Sequence, residues 1–152
     1  MKNASFPNFG SKVTFLLGGL ACLGFAIASY FTGVRYHWVQ PNTRWIPIFC
    51  RLDKHSCAAV VFTRQAHLFG LPNSILGQGY YLTLLIGLSF DWQFGSLQLL
   101  FAYILASVFT VVVGLYLTYA LVRVLRVPCV LCLVSHSINL IIMIGLILLR
   151  FA

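Results

Sequence analysis

Cys129-Val130-Leu131-Cys132 is a C-x-x-C pair at the mouth of a long apolar run, Val127 to Phe151. Thiol and disulfide exchange needs two cysteines close enough to bridge. A C-x-x-C at the start of a helix provides that, and the helix N-terminus favours the thiolate of the more exposed sulfur. Cys129 is expected to be that sulfur. At helical spacing Cys132, His136 and Asn139 share one face, a polar stripe running from the interface into the membrane, and polar groups at that depth face a bundle interior. A second pair, Cys50 and Cys57, stands upstream with six residues between its members. One pair in a loop and one on a helix make a relay in which a disulfide is passed along by exchange.

The bland alternative for C-x-x-C is a structural metal site in a non-enzymatic membrane scaffold, with His55 and His67 as further ligands. The wide spacing of Cys50 and Cys57 argues against it, since zinc pairs sit two to four residues apart. His55 and His67 read instead as solvated loop residues. Of the five cysteines, Cys22 is left over and reads as a small apolar filler in the first span. The chain has no G-x-G-x-x-G, no P-loop and no C-x-x-C-H, because Leu133 follows Cys132. The terminal electron carrier is therefore expected to be lipid-soluble, with no flavin, haem or metal.

The elements that must position these residues are membrane helices. The 152 residues are 61% hydrophobic and 8% charged, with a mean hydropathy of +0.95, whereas a soluble domain carries about 25% charged residues. Four windows are long enough to cross as helices: Val13 to Val34, Ser74 to Phe90, Leu97 to Val122 and Val127 to Phe151. The expected fold is an all-α membrane protein, a four-transmembrane-helix bundle in one domain over residues 13–152. Residues 1–12 form a tail. The Lys2 and Lys12 region before an apolar stretch has the look of a secretory signal, but the run continues to Val34 and reads as a retained span.

The loop 35–73 is too long for a plain connector and carries the first cysteine pair. Within it, Cys57 to Phe69 has helix formers and an apolar face through Val61, Leu68 and Phe69, so a short interfacial helix capped by Ser56 is expected. Asp91 to Ser96 makes a tight connection between antiparallel neighbours, and Pro128 suits the first turn of the fourth helix. Four crossings put both termini on one side and all four paired cysteines on the other. The formal net charge of +8 is spread over loops without a basic patch, which excludes nucleic acid and favours contact with anionic membrane lipid.

Cys50-x6-Cys57, Leu68-Phe69-Gly70, Asn73-Ser74-Ile75-x-Gly77, Cys129-x-x-Cys132 and Ser137-Ile138-Asn139, in this order among four spans, resemble the vitamin K epoxide reductase family. The resemblance implies a bundle around a quinone of the ubiquinone, menaquinone or phylloquinone type. It implies that Cys50 exchanges with a thioredoxin-like partner, a separate protein. Cys57 then passes the disulfide to and from Cys129, and Cys132 faces the quinone. By position Asn73 matches an asparagine that hydrogen-bonds a quinone oxygen, and Thr63 takes the place of a family serine near the loop pair.

Two departures steer the reading. Animal members have a tyrosine where this chain has His136, and a longer insert where it has Leu71-Pro72, so the chain resembles bacterial members that oxidise protein thiols. The expected function is quinone-dependent thiol oxidation in support of disulfide formation. Reduction of a vitamin K-type quinone or its epoxide by the same relay is the alternative. The expected place is the bacterial inner membrane with the cysteines extracytoplasmic. A plain count opposes that orientation, with seven Lys and Arg on the cysteine side against three on the other.

Overall fold

The computed structural model describes residues 7–40, 44, 57–89, 97–127 and 129–151. It is mostly helical. Helix α1 runs Pro7–Arg35, six residues earlier than the tail expected from residues 1–12. Pro7 suits a first turn, where its missing N–H has no helical partner. At the other end His37 takes the left-handed position (φ 60) that closes a helix, and Trp38 N–H donates to Gly33 O at 2.8 Å.

Helix α2 is a single turn, Cys57–Val60, so the longer interfacial helix expected through Phe69 is corrected. Thr63 is extended (φ −77, ψ 156), and both its amide and its hydroxyl donate to Val60 O. That closes the turn. A 3₁₀ turn at Arg64–Ala66 follows, then a two-stranded antiparallel hairpin of β1, His67–Leu68, and β2, Leu71–Pro72. Phe69 and Gly70 both have positive φ, 53 and 81. This is the requirement of the tight hairpin turn whose twist matches its strands. Phe69 consequently points outward instead of completing an apolar helical face.

Helix α3 is Asn73–Ser89 and helix α4 is Leu97–Tyr119. A wider π segment, Ala120–Leu125, extends α4, with Arg126 in the left-handed region (φ 52) turning the chain. Helix α5 is Val130–Phe151. Among the described residues three helices are long and apolar enough to cross a membrane: Gly10–Arg35, Leu97–Leu125 and Val130–Phe151. The segment expected as a second span is helical over 17 residues. Ser56, the Asp91 to Ser96 connection and Pro128 lie outside the described residues.

α1 packs on α3 and on α5, and α5 packs on α4, giving the neighbour order α3, α1, α5, α4. Leu17, Ala21, Tyr81, Leu84, Ile142 and Leu146 fill the centre. Small residues let the helices approach there, as lipid-embedded bundles require. A Cβ on Gly145 would lie 2.6 Å from Leu17 Cδ2, and one on Gly24 would enter the Tyr81 ring. α1 and α3 are also tied by part-buried polar groups, with Thr32 donating to Ser74 at 3.0 Å and Gln78 donating to Ser29 at 2.9 Å. The outer faces of α4 and α5 carry exposed Phe101, Leu105, Val112, Leu115, Ile144 and Leu148. Apolar outside and polar-tied inside is the pattern of a protein solvated by lipid.

Candidate functional site

Cys129 is the cap of α5, one residue ahead of its first helical residue. Its carbonyl accepts the first helical bond from Leu133 N–H at 3.2 Å, and its sulfur accepts from Cys132 N–H at 3.3 Å. A side-chain acceptor on the third amide is what a helix start lacks on its own. Cys129 and Cys132 form a disulfide with Cα atoms 5.3 Å apart. Cys129 is wholly buried (0% exposed), whereas Cys132 is half-buried. The expectation that Cys129 is the more exposed sulfur is thus corrected. The cause is the packing of Val61, Val127 and Leu131 in the same cluster as Cys129.

Cys132 lines a half-open cavity of about 570 Å³ bordered by α3, α4 and α5, by Ala28 and Phe31 of α1 and by the segment 60–72. Its wall is mostly aliphatic and aromatic. The cavity lies where α3 and α4 face one another without close backbone approach, and its rim includes the exposed Leu76, Phe69 and Phe109.

Thr63, Asn73, Cys132, His136 and Asn139 all line this one cavity, so five of the residues singled out in the sequence converge. Asn73 Nδ2 donates to Gln65 O at 3.3 Å, and its Oδ1 is buried with no partner among the described residues. His136 Nδ1 is buried and unpartnered in the same way. The imidazole lies over Gly114 of α4, where a Cβ would come within 2.9 Å of Nδ1. Two orphaned polar atoms on an apolar wall are costly unless something polar meets them. Thr63 is a structural neighbour here, its hydroxyl spent on Val60 O.

The other expected residues fall elsewhere. Cys50 and His55 lie outside the described residues, and Cys57 is placed only as the first residue of α2, which packs against α5. His67 is half-buried, with Nδ1 bonded to Thr63 O at 3.1 Å. Cys22 is exposed on α1 and fills no core. Among the described residues no group of three or more His, Cys, Asp or Glu is placed to hold a metal ion.

Sequence reasoning passed over Tyr80, Tyr81 and Ser135, which also line the cavity. Tyr81 O–H donates to Asn139 Oδ1 at 2.6 Å, and Tyr80 and Ser107 share a hydrogen bond of 2.6 Å. A signal was present: Asn73, Gly77 and Tyr81 follow at i, i+4 and i+8, the same-face spacing that picked out the stripe on α5.

The arrangement can make and break a disulfide at the edge of an apolar chamber. No match appears among curated proteins. The family model described as the vitamin K epoxide reductase family matches residues 15–147. That span runs from within α1 to within α5 and takes in every described residue of the cavity, and the chain therefore belongs to the vitamin K epoxide reductase family, an oxidoreductase family of membranes.

Proposed function

We propose that the chain is a quinone-dependent thiol oxidase that draws electrons from a thioredoxin-like partner and supports disulfide formation. The observation that carries this reading is a disulfide with one sulfur on the wall of an apolar cavity holding two unpartnered polar atoms. The size suits a ring-sized ligand, since such pockets run from about 300 to 1,000 Å³. His136 and Asn139 would hold its oxygens, and Asn73, with Oδ1 unpartnered, would accept from a hydroxyl of the reduced ring. The short Leu71-Pro72 link and His136 favour thiol oxidation over epoxide reduction.

The relay begins as the partner's dithiol becomes a disulfide and the Cys50–Cys57 disulfide is reduced. The Cys57 thiolate then attacks Cys129 Sγ, the Cys129–Cys132 bond breaks, and Cys132 leaves as a thiolate. Cys50 attacks Cys57 in turn, which restores the loop disulfide and leaves Cys129 and Cys132 reduced. A bound quinone supplies a two-electron, two-proton acceptor. Cys129 and Cys132 give up two electrons and two protons as their disulfide re-forms, with Cys132 as the sulfur facing the acceptor. Burial of Cys129 keeps stray thiols away, and the packing of α2 on α5 favours Cys57 as the thiol that reaches it.

In this reading α3 is the fourth crossing; its 17 residues rise about 25 Å against a core of about 30 Å. The cysteine end faces out of the cytoplasm of a bacterial inner membrane. Purified protein given a reduced thioredoxin-like partner should reduce a soluble quinone analogue, and Cys132→Ala should abolish the reaction. Undiminished turnover in that variant would end the proposal.

A further inference from the structure

Tyr81 has no part in the relay, yet it is the largest fully buried side chain of the protein among the described residues and it borders the cavity. Its ring is fixed from behind by α1, where Gly24 leaves room for it and a Cβ would collide. Its phenol reaches across from α3 to α5 and donates to Asn139 Oδ1 at 2.6 Å. An amide oxygen and an amide nitrogen differ only in which accepts and which donates, so the bond to Oδ1 decides which way the group is turned. With Oδ1 held by Tyr81, the NH2 group of Asn139 makes no hydrogen bond to another described residue and remains as a donor on a wall that Asn139 lines.

A quinone carbonyl oxygen only accepts, so it needs donors. Of the two orphaned side-chain atoms on this wall, Asn73 Oδ1 is an acceptor, because Asn73 Nδ2 is turned to Gln65 O, and His136 Nδ1 donates in only one of the two neutral tautomers. We propose that Tyr81 is a positioning residue that locks the Asn139 amide with its NH2 group in the cavity, making Asn139 the hydrogen-bond donor to a carbonyl oxygen of the lipid-soluble acceptor. The inference rests on the quinone reading above. Without the phenol O–H, Asn139 is free to turn over and present an oxygen to an oxygen.

A double-mutant cycle on the full chain in lipid nanodiscs tests this, with a short-chain ubiquinone analogue and reduced thioredoxin-like partner. Tyr81→Phe keeps the ring that packs on Gly24, and thermal unfolding establishes that the variant is folded. Tyr81→Phe should raise the KM for the quinone five- to tenfold, about one hydrogen bond's worth, with a smaller change in kcat. In the Asn139→Ala background the same substitution should change KM by less than twofold, because the group it orients is gone. Equal effects of Tyr81→Phe in both backgrounds overturn the positioning role while leaving the thiol oxidase reading standing. Failure of the parent protein to bind or reduce the quinone at all overturns both together.

Discussion

Cys129 is sealed from solvent while its disulfide partner Cys132 stands on the cavity wall, so the two sulfurs differ in what can reach them. After reduction, a small neutral alkylating agent should modify Cys132 several-fold faster than Cys129, as read by mass spectrometry of the peptides. Equal rates would show that Cys129 is open to solvent. A second expectation concerns Gly114, whose missing Cβ makes room for the His136 imidazole. Gly114→Ala should cost about 1–3 kcal/mol in unfolding free energy, since a crowded helix contact must open. His136→Ala in the same background should recover most of it. Residue types at this site were legible: Cys132, the histidine and the asparagine follow at helical spacing and do share the cavity. Their exposure was not, because it turns on whether Cys129 is the cap or the first turn of α5. Periodicity leaves that difference of a residue or two open.

The segment 57–72 shows local chemistry overruling helix propensity. Ala58 and Ala59 favour a helix and one does form, but Thr63 closes it by donating to Val60 O, and the pair Phe69 and Gly70 reverses the chain with positive φ at both positions. The apolar spacing of Val61, Leu68 and Phe69 suggested one continuous face, and only Val61 is buried. Gly70 is a turn residue of the hairpin. An L side chain at φ 81 is strained, so Gly70→Val should lower stability by about 1–2 kcal/mol. Phe69→Asn should be neutral or better, because Asn tolerates the left-handed region that Phe69 now occupies. Thermal unfolding of the two variants side by side checks the turn; a loss in Phe69→Asn as large as in Gly70→Val would speak for Phe69 packing over turn geometry.

At the scale of the whole molecule, apolar run length disclosed the membrane and the approximate helices but left their neighbour order hidden. Lipid-facing and core-facing positions are equally apolar here, so composition cannot say that α1 lies between α3 and α5. The order matters because it leaves one seam, α3 against α4, without close backbone packing. That seam is bridged by phenols: Tyr80 to Ser107 at 2.6 Å, and Tyr103 O–H to Thr83 O at 2.9 Å. The opposite seam, α1 against α3, is held by ring-to-glycine contact at Gly24 and by the Thr32, Ser74, Gln78 and Ser29 bonds. The two sides should therefore yield differently. Tyr80→Phe and Tyr103→Phe should each cost only about 0.6–1.7 kcal/mol in unfolding within lipid, the range of single hydrogen bonds between membrane helices. Gly24→Val should cost more than either, because α1 and α3 would have to separate around the Tyr81 ring. Steric-trap unfolding in bicelles measures all three on one scale. If the tyrosine variants prove as damaging as Gly24→Val, the cavity side is as rigid as the packed side, and the open seam is not where the bundle gives way.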